Sequence, residues 1–87
     1  MSDIQHLNVT EIQEWLISYL MELGLTPEEI DTTMAFEAHG LDSSGIVGMI
    51  GDLGEWTGCK LRPSIVYEHP TIELLTHYLV NNVTVKS

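Results

Sequence analysis

Basic residues are scarce in this chain of 87 residues, which has three Lys and Arg against thirteen Asp and Glu. Nucleic acids and anionic membrane surfaces carry dense negative charge, so a protein with a net charge of −10 is repelled by both. This imbalance excludes nucleic acid as a partner. It favours protein partners that present basic surfaces.

Cysteine is nearly absent too, because Cys59 is the only one, and an internal disulfide is therefore excluded. A lone cysteine fits a reducing compartment. The chain also lacks the charged-then-apolar pattern of a signal peptide at its start and any apolar run long enough to insert into a membrane. We expect a cytoplasmic protein without membrane insertion.

The sequence shows no set of residues that carries out chemistry by itself. It contains no recognisable Ser-His-Asp set, no paired carboxylates placed around a pocket and no glycine-rich phosphate loop, so we predict that the chain is not an enzyme. His39 has no second His or Cys at metal spacing, which favours packing in a loop over metal binding. Hydrophobic residues make up 44% of the chain, enough for one domain over residues 1–87 with a core from about 10 to 82.

Apolar residues at three- and four-residue steps predict a first helix over residues 10–23. Thr10 and Gln13 have the form of a capping box at its start, and Gly24 suits a left-handed end. The connection over 24–42 is long, and Pro27 after Thr26 predicts a short helical turn within it. The apolar face of the helix and the residues expected to fasten the connection to the core are Ile12, Trp15, Leu16, Tyr19, Leu20, Leu23, Ile30, Met34 and Phe36.

A second helix is predicted over residues 43–57, with Asp42 as its N-cap and Gly58 at its end. Ser43 then occupies the first helical position, beside unpaired N–H donors and the positive end of the helix dipole. This is a favourable place for an attached phosphate, although Ser43 as a second cap is the alternative. The predicted apolar side of this helix is Ile46, Val47, Met49, Ile50, Leu53 and Trp56.

A short third helix over 64–68 is predicted after Pro63, and Thr71 is expected to cap a final helix over 71–82. The tail from Val83 to Ser87 is expected to fray. These elements predict an all-α fold, a small bundle of three main helices plus one short helix.

The run Gly40-Leu-Asp-Ser43, followed by Tyr67-Glu-His-Pro-Thr-Ile72, resembles the acyl carrier proteins, most closely those of modular polyketide synthases. The resemblance covers about residues 10 to 82. It implies that Ser43 receives a 4′-phosphopantetheine arm from coenzyme A through a phosphopantetheinyl transferase, with Asp42 as part of the motif. The arm would then hold acyl groups as thioesters for polyketide or fatty-acid-type enzymes.

Specific partners follow only from the resemblance. It implies an acyl-adenylate ligase or an acyltransferase, a ketosynthase and other acyl-processing enzymes. The run ending at Trp56 and the block from Tyr67 look like carriers that fatty acyl-adenylate ligases load. The resemblance also places Ile65, Val66 and Tyr67 near the arm, where they either line a groove for cargo or pack in the core. The opening Met and short tail fit a discrete carrier, and an excised domain fits them equally.

The second helix departs from the family pattern on its polar side. Family members commonly have Leu directly after the modified serine, and acidic residues further along the helix, whereas this chain has Ser44 and several glycines. We predict a partner surface here that is read by shape and backbone, with tolerance of glycine in a helix held by its apolar side as the equal alternative. Its residues are Ser44, Gly45, Gly48, Gly51 and Glu55.

Two other functions remain open. A peptidyl carrier protein of a nonribosomal pathway is less favoured, because that branch usually has Gly-Gly-His-Ser or Gly-Gly-Asp-Ser where this chain has Gly-Leu-Asp-Ser. The other is an acidic helical interaction module without a prosthetic group, which would bind a basic partner by its surface alone. A mass increase by one arm separates a carrier from such a module.

Overall fold

The computed structural model describes residues 8–82. Within this range, four α-helices and two 3₁₀ turns follow one another. Within the described residues, the only strand-like pairing is an isolated antiparallel bridge between Ala35 and Thr71. The predicted architecture of three main helices and one short helix is therefore confirmed. In order, the elements are α1 (Val9–Glu22), a 3₁₀ turn (Pro27–Glu29), a second 3₁₀ turn (Phe36–His39), α2 (Ser43–Thr57), α3 (Ser64–Glu68) and α4 (Ile72–Asn82).

The start of α1 differs from the prediction. Asn8, not Thr10, is the N-cap: its Oδ1 accepts from the Glu11 N–H at 2.8 Å, while Glu11 Oε1 accepts from the Asn8 N–H at 3.3 Å. The capping box of Thr10 and Gln13 is wrong, because Asn is the stronger cap and a charged Glu suits the positive helix end better than Gln. At the other end, Gly24 has a φ of +112°, as predicted.

Apolar residues from all four helices form one core, to which the loop residues Phe36 and Leu41 are added. Phe36 is buried and Ile30 packs against the core, so both fasten the long connection as predicted, whereas Met34 is exposed. Leu23 is also exposed, because α1 has already ended. The buried set is Ile12, Leu16, Leu20, Phe36, Leu41, Ile46, Met49, Ile50, Leu53, Ile65, Val66, Ile72, Leu75 and Leu79.

The apolar side of α2 is narrower than predicted. Val47 is 53% exposed and Trp56 is 38% exposed, so neither lies in the core. The buried stripe instead continues from Leu53 to Thr57, one helical turn on, which turns position 56 to the edge. Thr57 is tolerated there because its hydroxyl donates to the Leu53 carbonyl at 2.9 Å.

The long connection is tied to the start of α4 by backbone hydrogen bonds. The Phe36 N–H donates to the Pro70 carbonyl at 2.8 Å, and the Glu73 N–H donates to the Thr32 carbonyl at 3.0 Å. Thr71 caps α4 as predicted, since its hydroxyl accepts from the Leu74 N–H at 3.0 Å. The two backbone hydrogen bonds therefore hold the connection that leads into α2 against the start of α4.

His39 packs inside this connection and is only 6% exposed. Its Nδ1–H donates to the Ala35 carbonyl at 3.0 Å, and its Nε2 accepts from the Asp31 N–H at 3.0 Å. Only a neutral ring with its proton on Nδ1 makes both bonds. The predicted packing role of His39 is confirmed.

Thr76 places a hydroxyl without a hydrogen-bond partner in the core of the described residues. It is 0% exposed, and its hydroxyl has no partner among residues 8–82. A buried hydroxyl without a partner costs free energy, so Thr76→Val is expected to raise the free energy of unfolding by about 1 kcal/mol in urea denaturation. Thr76→Ser is the control: it keeps the hydroxyl, deletes a methyl group and should lower stability by about 1 kcal/mol. Destabilisation by valine would show that the hydroxyl is satisfied.

Candidate functional site

The N-terminus of α2 presents the Ser43 hydroxyl. Asp42 is the N-cap, as predicted: its Oδ1 accepts from the Gly45 N–H at 2.9 Å and its carbonyl accepts from the Ile46 N–H at 2.9 Å. Ser43 is exposed at the first helical position, and its hydroxyl makes no hydrogen bond within residues 8–82. Ser43 is therefore not a second cap, and its hydroxyl is available to another molecule.

The three residues before Ser43 each have a structural role. Gly40 has a φ of +96° and ends the second 3₁₀ turn, a conformation that residues with a side chain rarely adopt. Leu41 is buried and fastens the turn to the core, and Asp42 caps the helix. The residues Gly40, Leu41 and Asp42 therefore supply a turn, an anchor in the core and a helix cap. Together they fix the position of Ser43 at the start of α2.

The same helix start is electrostatically suited to a phosphate. Asp42 satisfies the N–H groups of Gly45 and Ile46, and the N–H groups of Ser43 and Ser44 find no acceptor in the described chain. Unpaired N–H groups at a helix N-terminus stabilise negative charge together with the helix dipole. A phosphate ester on Ser43 is thus compatible with its surroundings.

The glycines of α2 fall into two groups. An added Cβ would meet only ordinary contacts at Gly45, where Asp42 Oδ1 lies 3.5 Å away, and at Gly48, where the Tyr19 hydroxyl lies 3.6 Å away. At Gly51 the space is open, but at Gly54 a Cβ would lie 2.9 Å from the Cys59 carbonyl oxygen. Glycine at position 54 is thus required by the turn that follows α2. The sequence suggested only a partner surface or simple tolerance of glycine, and this packing requirement is neither of them.

This contrast gives a matched pair of substitutions. Gly51→Ala is expected to raise the free energy of unfolding by up to about 1 kcal/mol, because alanine is the better helix former. Gly54→Ala is expected to lower it by about 1–3 kcal/mol, because the backbone of the turn must shift. Thermal and urea unfolding of both variants measure the difference. Equal effects of the same sign would contradict the close approach of the Cys59 carbonyl.

A cavity of about 160 Å³ lies beside the site, and Ile46, three residues after Ser43, is part of its wall. Val66 is buried and also lines the cavity, and Tyr67 lines it while 57% exposed. Ile65 is buried in the core and does not line this cavity. Sequence reasoning placed Val66 and Tyr67 at a possible groove but missed the opposite wall, which the long connection supplies. The lining residues are Ala35, Phe36, Glu37, Ile46, Val66, Tyr67 and Pro70.

Two further features were searched for in the described residues, a metal site and a membrane-spanning helix. Between residues 8 and 82, no three His, Cys, Asp or Glu side chains are grouped so that they could hold a metal ion. None of the helices described is both long enough and apolar enough to cross a membrane.

Comparison with known proteins identifies the class. The family model described as "Phosphopantetheine attachment site" matches residues 14–79, and the chain belongs to this family. Members carry a covalently attached 4′-phosphopantetheine group and generally act as shuttles rather than as catalysts. More particularly, the chain is a carrier domain related to the acyl carrier domains of polyketide synthases, which work with partner biosynthetic enzymes.

Two relatives illustrate this. A phenolphthiocerol/phthiocerol polyketide synthase of Mycobacterium tuberculosis is 37% identical over 70 residues, an alignment that covers 79% of this chain and 4% of that protein. The acyl carrier protein TtuC of Teredinibacter turnerae is 30% identical over 74 residues, covering 84% of this chain and 85% of TtuC. The chain thus spans a small part of the synthase and most of the carrier protein.

Solved structures share the fold. Asl1650, an acyl carrier protein from Anabaena sp. PCC 7120 with a variant phosphopantetheinylation-site sequence, is 34% identical with a TM-score of 0.78, and the match covers 93% of each chain. A free-standing peptidyl carrier protein from Acinetobacter baumannii is 29% identical with a TM-score of 0.79, covering 88% of this chain and 98% of the other. Both matches show that these carrier proteins share the fold of this chain.

Proposed function

We propose that Ser43 is the attachment residue of a single acyl carrier domain, which tethers acyl intermediates as thioesters and presents them to partner enzymes. The observation that carries this proposal is the state of the Ser43 side chain. It is exposed at the first position of α2, without a hydrogen-bond partner in residues 8–82, while Asp42 performs the capping. A hydroxyl with a structural role would make a hydrogen bond within the protein, whereas the Ser43 hydroxyl is exposed to solvent and accessible to another molecule.

The surroundings of Ser43 fit the prosthetic group of the family. When bound, 4′-phosphopantetheine supplies a thiol on a flexible arm, and that thiol holds the acyl group. Ser43 Oγ would form the phosphate ester, and the N–H groups of Ser43 and Ser44 would stabilise the phosphate charge at the helix start. Asp42 holds the helix start in place through Gly45. The chain itself would position the arm and catalyse nothing.

Partner enzymes supply the chemistry in this proposal. A phosphopantetheinyl transferase transfers the arm from coenzyme A, and an acyl-adenylate ligase or acyltransferase, a ketosynthase and other acyl-processing enzymes act on the cargo. Tethering raises the concentration of cargo at each enzyme that docks the carrier. The proposed pathway is of the polyketide or fatty-acid type, supported by the synthase relatives, and the proposed compartment is the cytoplasm, supported by the lone Cys59.

The exposed side of α2 is the proposed surface for these enzymes near Ser43. The absence of a Cβ at Gly45, Gly48 and Gly51 is not imposed by packing, which leaves close approach by a partner as a reason for it. Ser44 and Glu55 are exposed on the same helix. Gly45→Ala with Gly48→Ala tests this: slower loading without loss of stability supports the surface, and unchanged loading with a gain in stability rejects it.

Incubation with a broad-specificity phosphopantetheinyl transferase, coenzyme A and Mg²⁺ tests the proposed function. The intact mass should rise by one arm per chain. The competing function, an acidic interaction module without a prosthetic group, requires an unchanged mass. A mass gain equal to two arms would show that Ser43 is not the sole acceptor.

A peptidyl carrier protein is the second candidate, favoured by the likeness to the Acinetobacter baumannii protein. The two carriers differ in cargo, because a peptidyl carrier holds aminoacyl groups. Intact mass of the protein from its host distinguishes them, since aminoacyl and fatty acyl thioesters differ in mass and in nitrogen content.

A further inference from the structure

The positively charged side chains of the described residues lie together in the connector between α2 and α3. Residues 8–82 contain two Lys or Arg side chains, Lys60 and Arg62, and both are exposed. The whole chain has thirteen Asp and Glu, so acidic partners are abundant. Even so, neither cation forms an ion pair or a side-chain hydrogen bond within the described range. The cations of this acidic chain are thus concentrated in one place and unpaired there.

Both cations line one cavity of about 320 Å³, which also has an apolar part. Leu61 packs partly against the core and Ile65 is buried in it, and both contribute to the lining. Tyr78 of α4 forms a further wall. Its ring is stacked on His69, with the ring centroids 4.3 Å apart and an interplanar angle of 23°, which holds the wall in place. The cavity therefore combines positive charge with apolar surface.

We propose that this cavity docks an acidic segment of a partner polypeptide, in which carboxylates lie beside an apolar side chain. Arg62 presents a planar guanidinium that pairs with a carboxylate through two parallel hydrogen bonds, and Lys60 adds a second positive charge. These two cations outnumber the single acidic residue of the lining, Glu68. The apolar part of the cavity accepts the neighbouring side chain and removes it from water. Charge complementarity selects this occupant.

A small anion fits the cavity less well than such a segment. The side chains of Lys60, Arg62 and Ser64 are exposed, and an exposed ion pair contributes little by itself. A small anion makes no apolar contact that would add to these pairs. It is therefore held weakly.

Larger negatively charged partners are also disfavoured. A second copy of this chain, a nucleic acid or an anionic membrane would face the acidic remainder of the surface as well as the cavity, and the net charge of −10 repels all three. A short acidic segment contacts the cavity alone. More distant carboxylates act on it little, because salt screens charges beyond about 8 Å at physiological ionic strength.

The cavity is separate from the attachment site. Ser43 begins α2 and the connector follows the end of this helix, so the 15 residues of α2, about 22 Å, lie between them. A partner held at the connector leaves Ser43 accessible. The proposal therefore goes beyond carriage of the acyl group.

Titration with a designed peptide tests the proposal. The probe is an acetylated and amidated peptide in which two Glu flank one Leu, and the matched probe has Gln in place of both Glu. In ¹H–¹⁵N spectra of the full chain, the Glu peptide should shift the backbone N–H signals of Lys60, Leu61 and Arg62. We expect it to bind about fivefold more tightly than the Gln peptide. This preference should shrink as NaCl is raised from about 0.05 M to about 0.5 M, because salt screens exposed charges.

Variants locate the contact. Arg62→Gln should reduce the fivefold preference for the Glu peptide to about twofold, and Lys60→Gln combined with Arg62→Gln should remove it. Ala38→Glu is the control for net charge. It changes the charge of the chain by the same amount as Arg62→Gln, but at an exposed position of the second 3₁₀ turn, before α2. This variant should keep the preference.

Four results would overturn the proposal. They are equal binding of the two peptides to the unsubstituted chain, equal loss of preference in Arg62→Gln and Ala38→Glu, the same signal shifts with inorganic phosphate at equal concentration, and a doubling of the protein mass in light scattering that Arg62→Gln abolishes. The chain is titrated without an arm, so these results do not depend on whether Ser43 is the attachment residue.

Discussion

Ser43→Ala is expected to abolish the mass gain on incubation with a phosphopantetheinyl transferase and coenzyme A, whereas Ser44→Ala should keep it. The two serines are adjacent, both exposed and both in the first turn of α2. They differ in position, because only Ser43 directly follows the Asp42 cap. Comparing the two variants therefore shows whether the transferase modifies Ser43 specifically or any serine at the start of α2.

The structure also predicts that Ser43→Ala leaves the fold intact. The Ser43 hydroxyl makes no hydrogen bond in residues 8–82, and the cap is made by Asp42 to the Gly45 N–H. A surface substitution of this kind changes the free energy of unfolding by no more than about 0.5 kcal/mol. Circular dichroism and urea unfolding provide this control. Continued loading of Ser43→Ala, or loss of loading in Ser44→Ala, would move the attachment site away from Ser43.

His39→Ala is expected to lower the free energy of unfolding by about 2–4 kcal/mol. The substitution leaves two backbone groups inside the connection without partners, the Asp31 N–H and the Ala35 carbonyl. Both hydrogen bonds are part-buried, and an unpaired buried group costs about 1–3 kcal/mol, less whatever water recovers. A domain of this size has only a few times that amount in total. Urea unfolding measures the loss.

His77→Ala is the matched control, because His77 is exposed on α4. It should change stability by less than about 0.5 kcal/mol. His39→Gln, whose amide offers both an acceptor and donors, should recover part of what alanine loses. If His39→Ala and His77→Ala were equally mild, the connection would be held by Phe36 and the backbone bonds to α4 alone.

Local signals predicted most of the fold. The position of α2 followed from Asp42 before an apolar repeat and from Gly58 after it, and the structure places the helix at Ser43–Thr57 with both residues as its caps. The short helix after Pro63 and the cap at Thr71 were predicted in the same way. Capping and periodicity are properties of neighbouring residues, so the sequence alone shows them.

Errors arose where two local signals competed or where distant contacts decide. Asn8 and Thr10 are both good caps, and the choice depended on the carboxylate of Glu11. Val47 and Trp56 are apolar, yet the turn of the helix relative to its neighbours exposes both. Residue type alone does not set how a helix is rotated against the core.

The candidate site was predicted in its centre but not in its surroundings. Ser43 and Asp42 were found from adjacent residues of one run. The cavity beside them brings Phe36 and Glu37 of the connection against Ile46 of α2 and Tyr67 of α3, which are far apart in sequence. The requirement for glycine at position 54 likewise depends on where the Cys59 carbonyl lies. Such contacts exist only after the chain has folded.

Mass spectrometry of the protein isolated from its own host tests the central claim most directly, because it reports the arm, its position and its cargo together. We expect an intact mass that exceeds the sequence by one 4′-phosphopantetheine arm with or without an acyl group, and fragment ions that place the arm on Ser43. An unmodified chain in cells that contain an active transferase, or an arm on any other residue, would contradict this account.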